Sequence, residues 1–179
     1  MRGRFMYTVF LFILTFIGSV SGGFASGGGN RIVENTLPMW AVSVARASAA
    51  SALAGSQASL QYDGTLITIP LEQMPKAGHA FLLLDITVEK TGTGKGVFSW
   101  SNACVTDAEG NRHPRHENDT FLDLLGYKRI KATDITFGDN TGSACFEVPE
   151  AALDGPLWFL YESGEGTVKI QLDVLREKK

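Results

Sequence analysis

Apolar residues are distributed along the chain in two ways. From Phe5 to Ile17 they run almost unbroken, interrupted only by Thr8 and Thr15. Beyond Pro38 they alternate with polar residues in short bursts, the period of a half-buried strand. Within Met39 to Ala45, Trp40, Val42 and Val44 share one face. In Ser143 to Val148, Ala144, Phe146 and Val148 do the same, and Leu157 to Tyr161 and Val168 to Val174 repeat the pattern. His79 to Glu89 is the strongest strand. Its continuous Ala80-Phe81-Leu82-Leu83-Leu84 predicts burial on both faces before Ile86 and Val88 resume the alternation.

Turn signals separate these bursts. Asp63-Gly64 between Leu60–Tyr62 and Thr65–Ile69 predicts a two-residue hairpin. Lys90 to Gly96, Asp107 to Asn111 and Phe137 to Gly142 read as turns, and Pro149 ends a strand because it has no amide proton to donate. Val97 to Trp100 and Ala103 to Thr106 are short strands, and Arg129 to Ile135 has weak β character. Ile32 to Pro38 reads as a lead-in, and Pro70 to Gly78 as a loop with a helical turn at Leu71 to Met74. The Ala- and Ser-rich Arg46 to Ser59 fits a short surface helix or a flexible loop, and Arg112 to Leu125 is polar, then apolar, without a clear period. Short strands with a turn signal every ten or so residues predict an all-β chain folded as an antiparallel β-sandwich.

The N-terminal run belongs to something else. Arg2 and Arg4 precede it, and Gly18, Ser19, Ser21, Gly22, Gly23 and Ala25 follow it. Positive charge, apolar run and small residues, in that order, make a secretory signal peptide at residues 1–25. A cut after Ala25 puts Gly23 at the −3 position, and a cut after Ser21 fits nearly as well. A spanning helix needs about 20 apolar residues, more than this run supplies, so membrane association is expected only if the N-terminal helix is retained. The organisation expected is a helical signal peptide at 1–25, a flexible leader at 26–38, the sandwich domain at 39–175 and a charged tail at 176–179. Its address is secreted or periplasmic.

Charge and cysteines refine this picture. The net charge of −3 includes Arg2 and Arg4, so the chain without residues 1–25 carries −5, which argues against nucleic acid and anionic membranes as partners. Cys104 and Cys145 are the only cysteines. In an oxidising compartment they are expected to form a disulfide. Neither lies in a Cys-x-x-Cys pair.

The richest polar run is His113-Pro114-Arg115-His116-Glu117-Asn118-Asp119. It reads as a solvated loop, the alternative being a metal-binding, even hydrolytic, centre on His113 and His116. Asp107, Glu109 and Asn111 alternate oxygen ligands, but Gly110 falls one position early for a calcium loop and Asn118 stands where its closing glutamate belongs, so a β-turn is expected. Gly-x-Ser-x-Gly, P-loop and dinucleotide motifs are absent, and Ser99, Ser101 and His79 form no recognisable triad by spacing. Glu162 and Glu165 flank a hairpin turn. Trp158, between Leu157 and Phe159, points away from the core face and is a candidate partner contact. Asn118-Asp119-Thr120 matches a glycosylation acceptor. No cofactor, catalytic residue or metal ligand is assigned.

Five stretches together resemble a known family: Trp40-Ala41-Val42-Ser43-Val44, Gly78 to Val88, Asp107 to Asn111, Phe146-Glu147-Val148-Pro149 and Leu157-Trp158-Phe159-Leu160-Tyr161. From about Met39 to Tyr161 the chain resembles the secreted immunoglobulin-like β-sandwich domains that include the mycobacterial immunoprotective extracellular protein, grouped with a bacterial domain of unknown function. It departs from them at Glu89-Lys90, where the family usually has an asparagine, and in the Ala/Ser-rich stretch and the Asp63-Gly64 hairpin. The resemblance implies an immunoglobulin-like fold and carries over no catalytic residue. The function expected is a non-enzymatic module binding a protein or cell-envelope ligand through loops or an edge strand.

Overall fold

The computed structural model describes residues 29–55, 58–62, 65–69, 71–116 and 119–176, with the backbone alone at 58–62 and 65–69. The expected signal peptide, the Asp63-Gly64 turn, the Asn118 acceptor and the end of the tail lie outside the described residues.

In chain order the strands are β1 (Arg31–Asn35), β2 (Trp40–Ala50), β3 (Leu53–Ala54), β4 (Ala58–Tyr62), β5 (Thr65–Ile69), β6 (Glu72–Gln73), β7 (His79–Lys90), β8 (Phe98–Ser99), β9 (Ala103–Thr106) and β10 (Arg112–Pro114). After the short helix α1 (Phe121–Leu124) come β11 (Asp134–Ile135), β12 (Asp139–Pro149), β13 (Leu157–Ser163), β14 (Gly166–Leu172) and β15 (Val174–Arg176). Two sheets make a β-sandwich. One has five strands in the order β1-β14-β13-β9-β10, and the other four in the order β12-β7-β2-β15. All their pairings are antiparallel except β15 with β2.

The core lies between the sheets and is set by alternation. Trp40, Val42 and Val44 from β2, Leu82, Leu84, Ile86 and Val88 from β7, and Ala144, Phe146 and Val148 from β12 face Val105, Leu157, Phe159, Tyr161, Val168 and Ile170 of the other sheet. Phe98 stacks on Tyr161 with ring centroids 4.1 Å apart. Burying side chains of this size contributes about 1.5–3 kcal/mol each.

The Ala/Ser-rich stretch is strand where helix or loop was expected: β2 continues to Ala50. A bulge between Val44 and Arg46 resets the alternation, so that Ala47 and Ala49 join the core. The pairing of β2 with β7 continues beyond the bulge to Ala50. Residues 31–35 belong to the first sheet as an edge strand, with every residue exposed, where a flexible leader was expected. Residues 72–73 pair with 53–54 instead of forming a helical turn. Residues 139–142, expected in a turn, lengthen β12, because each pairs with a residue of β7 between Ile86 and Glu89; the turn itself is at Gly138, φ 69°.

The two sheets meet at one side. β10 closes the first sheet, and the chain then crosses to the second, where Arg115 bridges Phe146 and the His116 N–H donates to the Cys145 carbonyl at 2.8 Å. At the other side β1 and β15 are edges.

Candidate functional site

Residues 115–116 and 119–131 are the described part of the crossing; sequence periodicity gave Arg112 to Leu125 no clear structure and Arg129 to Ile135 weak β character. Its apolar residues divide: Ile130 enters the main core, and Phe121, Leu122, Leu125 and Tyr127 pack on the outer face of the second sheet. Leu122 and Leu125 join Ala50, Leu53, Phe81, Leu83 and Cys145 in a second, smaller core. That explains the unbroken apolar run in β7: Phe81 and Leu83 are covered from outside. Gly126, at φ 85°, ends the α1 turn, and the chain returns along β12, with Ser143 N–H donating to the Lys128 carbonyl at 2.6 Å.

The polar members of the crossing knit together around Asp119. This carboxylate is buried. It accepts from Arg115 Nε at 2.9 Å and Nη2 at 2.7 Å, and from Arg129 Nη1 at 3.1 Å. Arg115 also donates to the Ile130 carbonyl, and its guanidinium lies 4.9 Å from the ring centre of Trp100. Arg129 Nε reaches Asp123 at 3.1 Å. Burial opposes the charge on Arg129, but its bonds to Asp123 and Asp119 outweigh that and raise its pKa. The two arginines are balanced by Asp119 and Asp123. Lys131, 74 % exposed, supplies the local positive excess, and its Nζ stands 3.9 Å from Asp123, beyond hydrogen-bond distance.

These groups surround an open cleft of about 220 Å³, walled by Trp100, Ser101, Arg115, Asp119, Arg129 and Lys131, with His116 and Thr133 at its margins. The indole N–H of Trp100 is buried and has no hydrogen-bond partner among the described residues. The cleft is therefore concave, cationic and lined on one wall by an aromatic ring.

His113 and His116 do not converge. His113 Nε2–H donates to Asp107 Oδ2 at 3.1 Å, while His116 packs edge-on against Phe81 and Phe121. Among the described residues no group of three His, Cys, Asp or Glu side chains is placed to hold a metal ion. Asp107 shapes the expected turn. Its Oδ1 accepts the N–H groups of Glu109 at 3.1 Å and Asn111 at 2.8 Å, its Oδ2 accepts Asn111 Nδ2 at 3.0 Å, and Gly110 takes φ 83°. Burial would raise its pKa, but the bonds from Asn111 and His113 prevail and lower it to about 2.

The disulfide expected between Cys104 and Cys145 is not formed: both thiols are buried and unpaired. Alternation explains this. Ala103 and Val105 point into the main core, so Cys104 points out of the first sheet, beside Arg112. Ala144 and Phe146 point into the same core from the second sheet, so Cys145 points out of it, into the smaller core. The two sulfurs turn away from each other. Burial raises the pKa of both thiols.

Trp158 lies on the outer face of β13, as alternation implied, half-buried beneath Lys169, whose Nζ is 5.0 Å from the ring centre. Trp100, Arg129 and Lys131 are the cleft residues that the sequence reading did not gather. The cationic run Lys128-Arg129-Ile130-Lys131 in an acidic chain was the available signal. Among the described residues no helix is long and apolar enough to cross a membrane.

No family model matches the chain, and no curated protein matches it. It is similar in structure to a conserved hypothetical protein from Bacillus anthracis, with 12% identity and a TM-score of 0.48 over 80% of this chain and 92% of that one. It is also similar to an uncharacterized β-sandwich protein from Clostridium difficile 630, with 9% identity and a TM-score of 0.40 over 88% of this chain and all of that one.

Proposed function

We propose that this chain is an exported, non-enzymatic β-sandwich module of the immunoglobulin-like kind, similar to the family of the mycobacterial immunoprotective extracellular protein, and that it binds a protein or cell-envelope ligand. Export is supported by the order of charge, apolar run and small residues in 1–25. Binding is supported by one observation above others. The polar side chains around the crossing are held in place by one another, Arg115 and Arg129 on Asp119, and together they wall a concave surface instead of a flat one. A rigid polar patch beside an aromatic ring suits recognition, because little side-chain entropy is lost when a partner docks.

The test has two parts. Fractionation of the source cells followed by intact mass measurement should find the protein outside the cytoplasm and shortened by residues 1–25 or 1–21. Full-length protein in the cytosol would overturn the export reading. The purified mature domain, immobilised and exposed to envelope and culture-medium fractions, should retain a component that Lys131→Glu releases. Equal retention by both proteins would remove the cleft from the binding face.

A further inference from the structure

We infer that the cleft beside Trp100 binds an oxyanion, a carboxylate or phosphate group borne by the ligand; this rests on the reading of the cleft as the binding face. Three features carry it. First, Arg115, Arg129 and Lys131 stand against Asp119 in the walls, and even with Asp123 at the rim the positive charges outnumber the negative, in a chain whose net charge is −3. A cationic hollow in an acidic surface concentrates anions, and low-dielectric walls strengthen the attraction. Second, Asp119 accepts from Arg115 Nε and Nη2 and from Arg129 Nη1 and so holds both guanidinium planes in the wall, with those donors already engaged. Lys131, ion-paired only at 3.9 Å, can move onto a ligand without breaking a hydrogen bond. Third, the Trp100 N–H is a buried donor with no acceptor among the described residues, on a ring that lines the cleft. Leaving such a group unsatisfied is costly.

Among the described residues of the wall Asp119 is the one carboxylate, and it is paired with both arginines. Ser101, whose hydroxyl is 3.0 Å from that of Ser99, and Thr133 add neutral hydroxyl-bearing residues to the lining.

Nuclear magnetic resonance titration of the mature domain tests this directly, because its tryptophans Trp40, Trp100 and Trp158 give separate indole N–H signals. Sodium phosphate and sodium acetate, each added at constant ionic strength against chloride, should shift the Trp100 signal saturably and leave that of Trp40 in place. Response to phosphate alone identifies a tetrahedral anion as the natural group, and response to acetate alone a carboxylate. Lys131→Ala, at an exposed position that does not disturb the fold, should weaken binding roughly tenfold. Trp100 signals that do not move, that move with chloride alone, or that move equally in Lys131→Ala would overturn the inference. If Lys131→Glu still releases the envelope component in that event, the binding face stands and only the anion fails.

Discussion

Asp107 and His113 are joined at 3.1 Å across the turn that ends β9, the imidazole donating to a carboxylate that already closes the turn through Glu109 and Asn111. The folded-state pKa of Asp107 is about 2, against an ordinary 3.8. A depressed carboxyl pKa contributes stability that is present above the unfolded value and lost as pH falls through the folded one. Glu147 acts in the same direction, since the Lys76 amide and ammonium outweigh its burial. Urea unfolding followed across acidic pH should therefore show stability declining between about pH 4 and pH 2. Asp107→Asn should flatten that decline, and an unchanged slope would count against the pairing.

Cys145 supplies the second prediction. It is fully buried in the smaller core, and burial holds its thiol protonated. A thiol reagent should find the native protein unreactive at this position and should titrate both cysteines after unfolding without reductant. Cys145→Ser should cost more than Cys145→Ala, by about 1–3 kcal/mol, because a hydroxyl would be left among Phe81, Leu83 and Leu122. A non-reduced protein lacking free thiols would refute the unpaired arrangement.

Breaking the buried ion cluster should be expensive. Asp119→Ala leaves Arg115 without a carboxylate partner and Arg129 with Asp123 alone, their side chains being 12 % and 15 % exposed, and should cost about 3–5 kcal/mol in denaturant unfolding. A double variant that also replaces Arg115 with Met should recover part of that loss. Additive effects would mean that the pair is not coupled.

Gly142 sits mid-strand because the returning crossing passes too close for a side chain. A Cβ there would lie 2.4 Å from the Lys128 carbonyl oxygen. Gly142→Ala should destabilise by about 1–3 kcal/mol. Gly164→Ala, where a Cβ meets nothing within 4 Å, should stay within about 0.5 kcal/mol. Thermal melts of the two variants provide the comparison.

The sandwich was legible because its core faces follow a period of two: Trp40-Val42-Val44 and Ala144-Phe146-Val148 are buried as the pattern implied. The far half of β2 was not legible, because alanine and serine carry little hydrophobic contrast and the bulge after Val44 breaks the phase. The cleft was half legible. Arg115, His116 and Asp119 stood out as a polar cluster, but their joining to Trp100 and Arg129 depends on a crossing whose course is fixed by long-range packing of Leu122 and Leu125 on the second sheet. The cysteines misled for a related reason. Number and compartment suggested a bond, while only strand register reveals that the two sulfurs face opposite ways.

The crossing at Arg115 has one more effect. Because it stitches β10 to β12, one flank of the sandwich presents no bare backbone rim at that bridge, and β1 and β15 form the opposite flank. A strand added to either sheet meets an open edge on the flank of β1 and β15, whereas at the Arg115 bridge the backbone of β12 already has its partner.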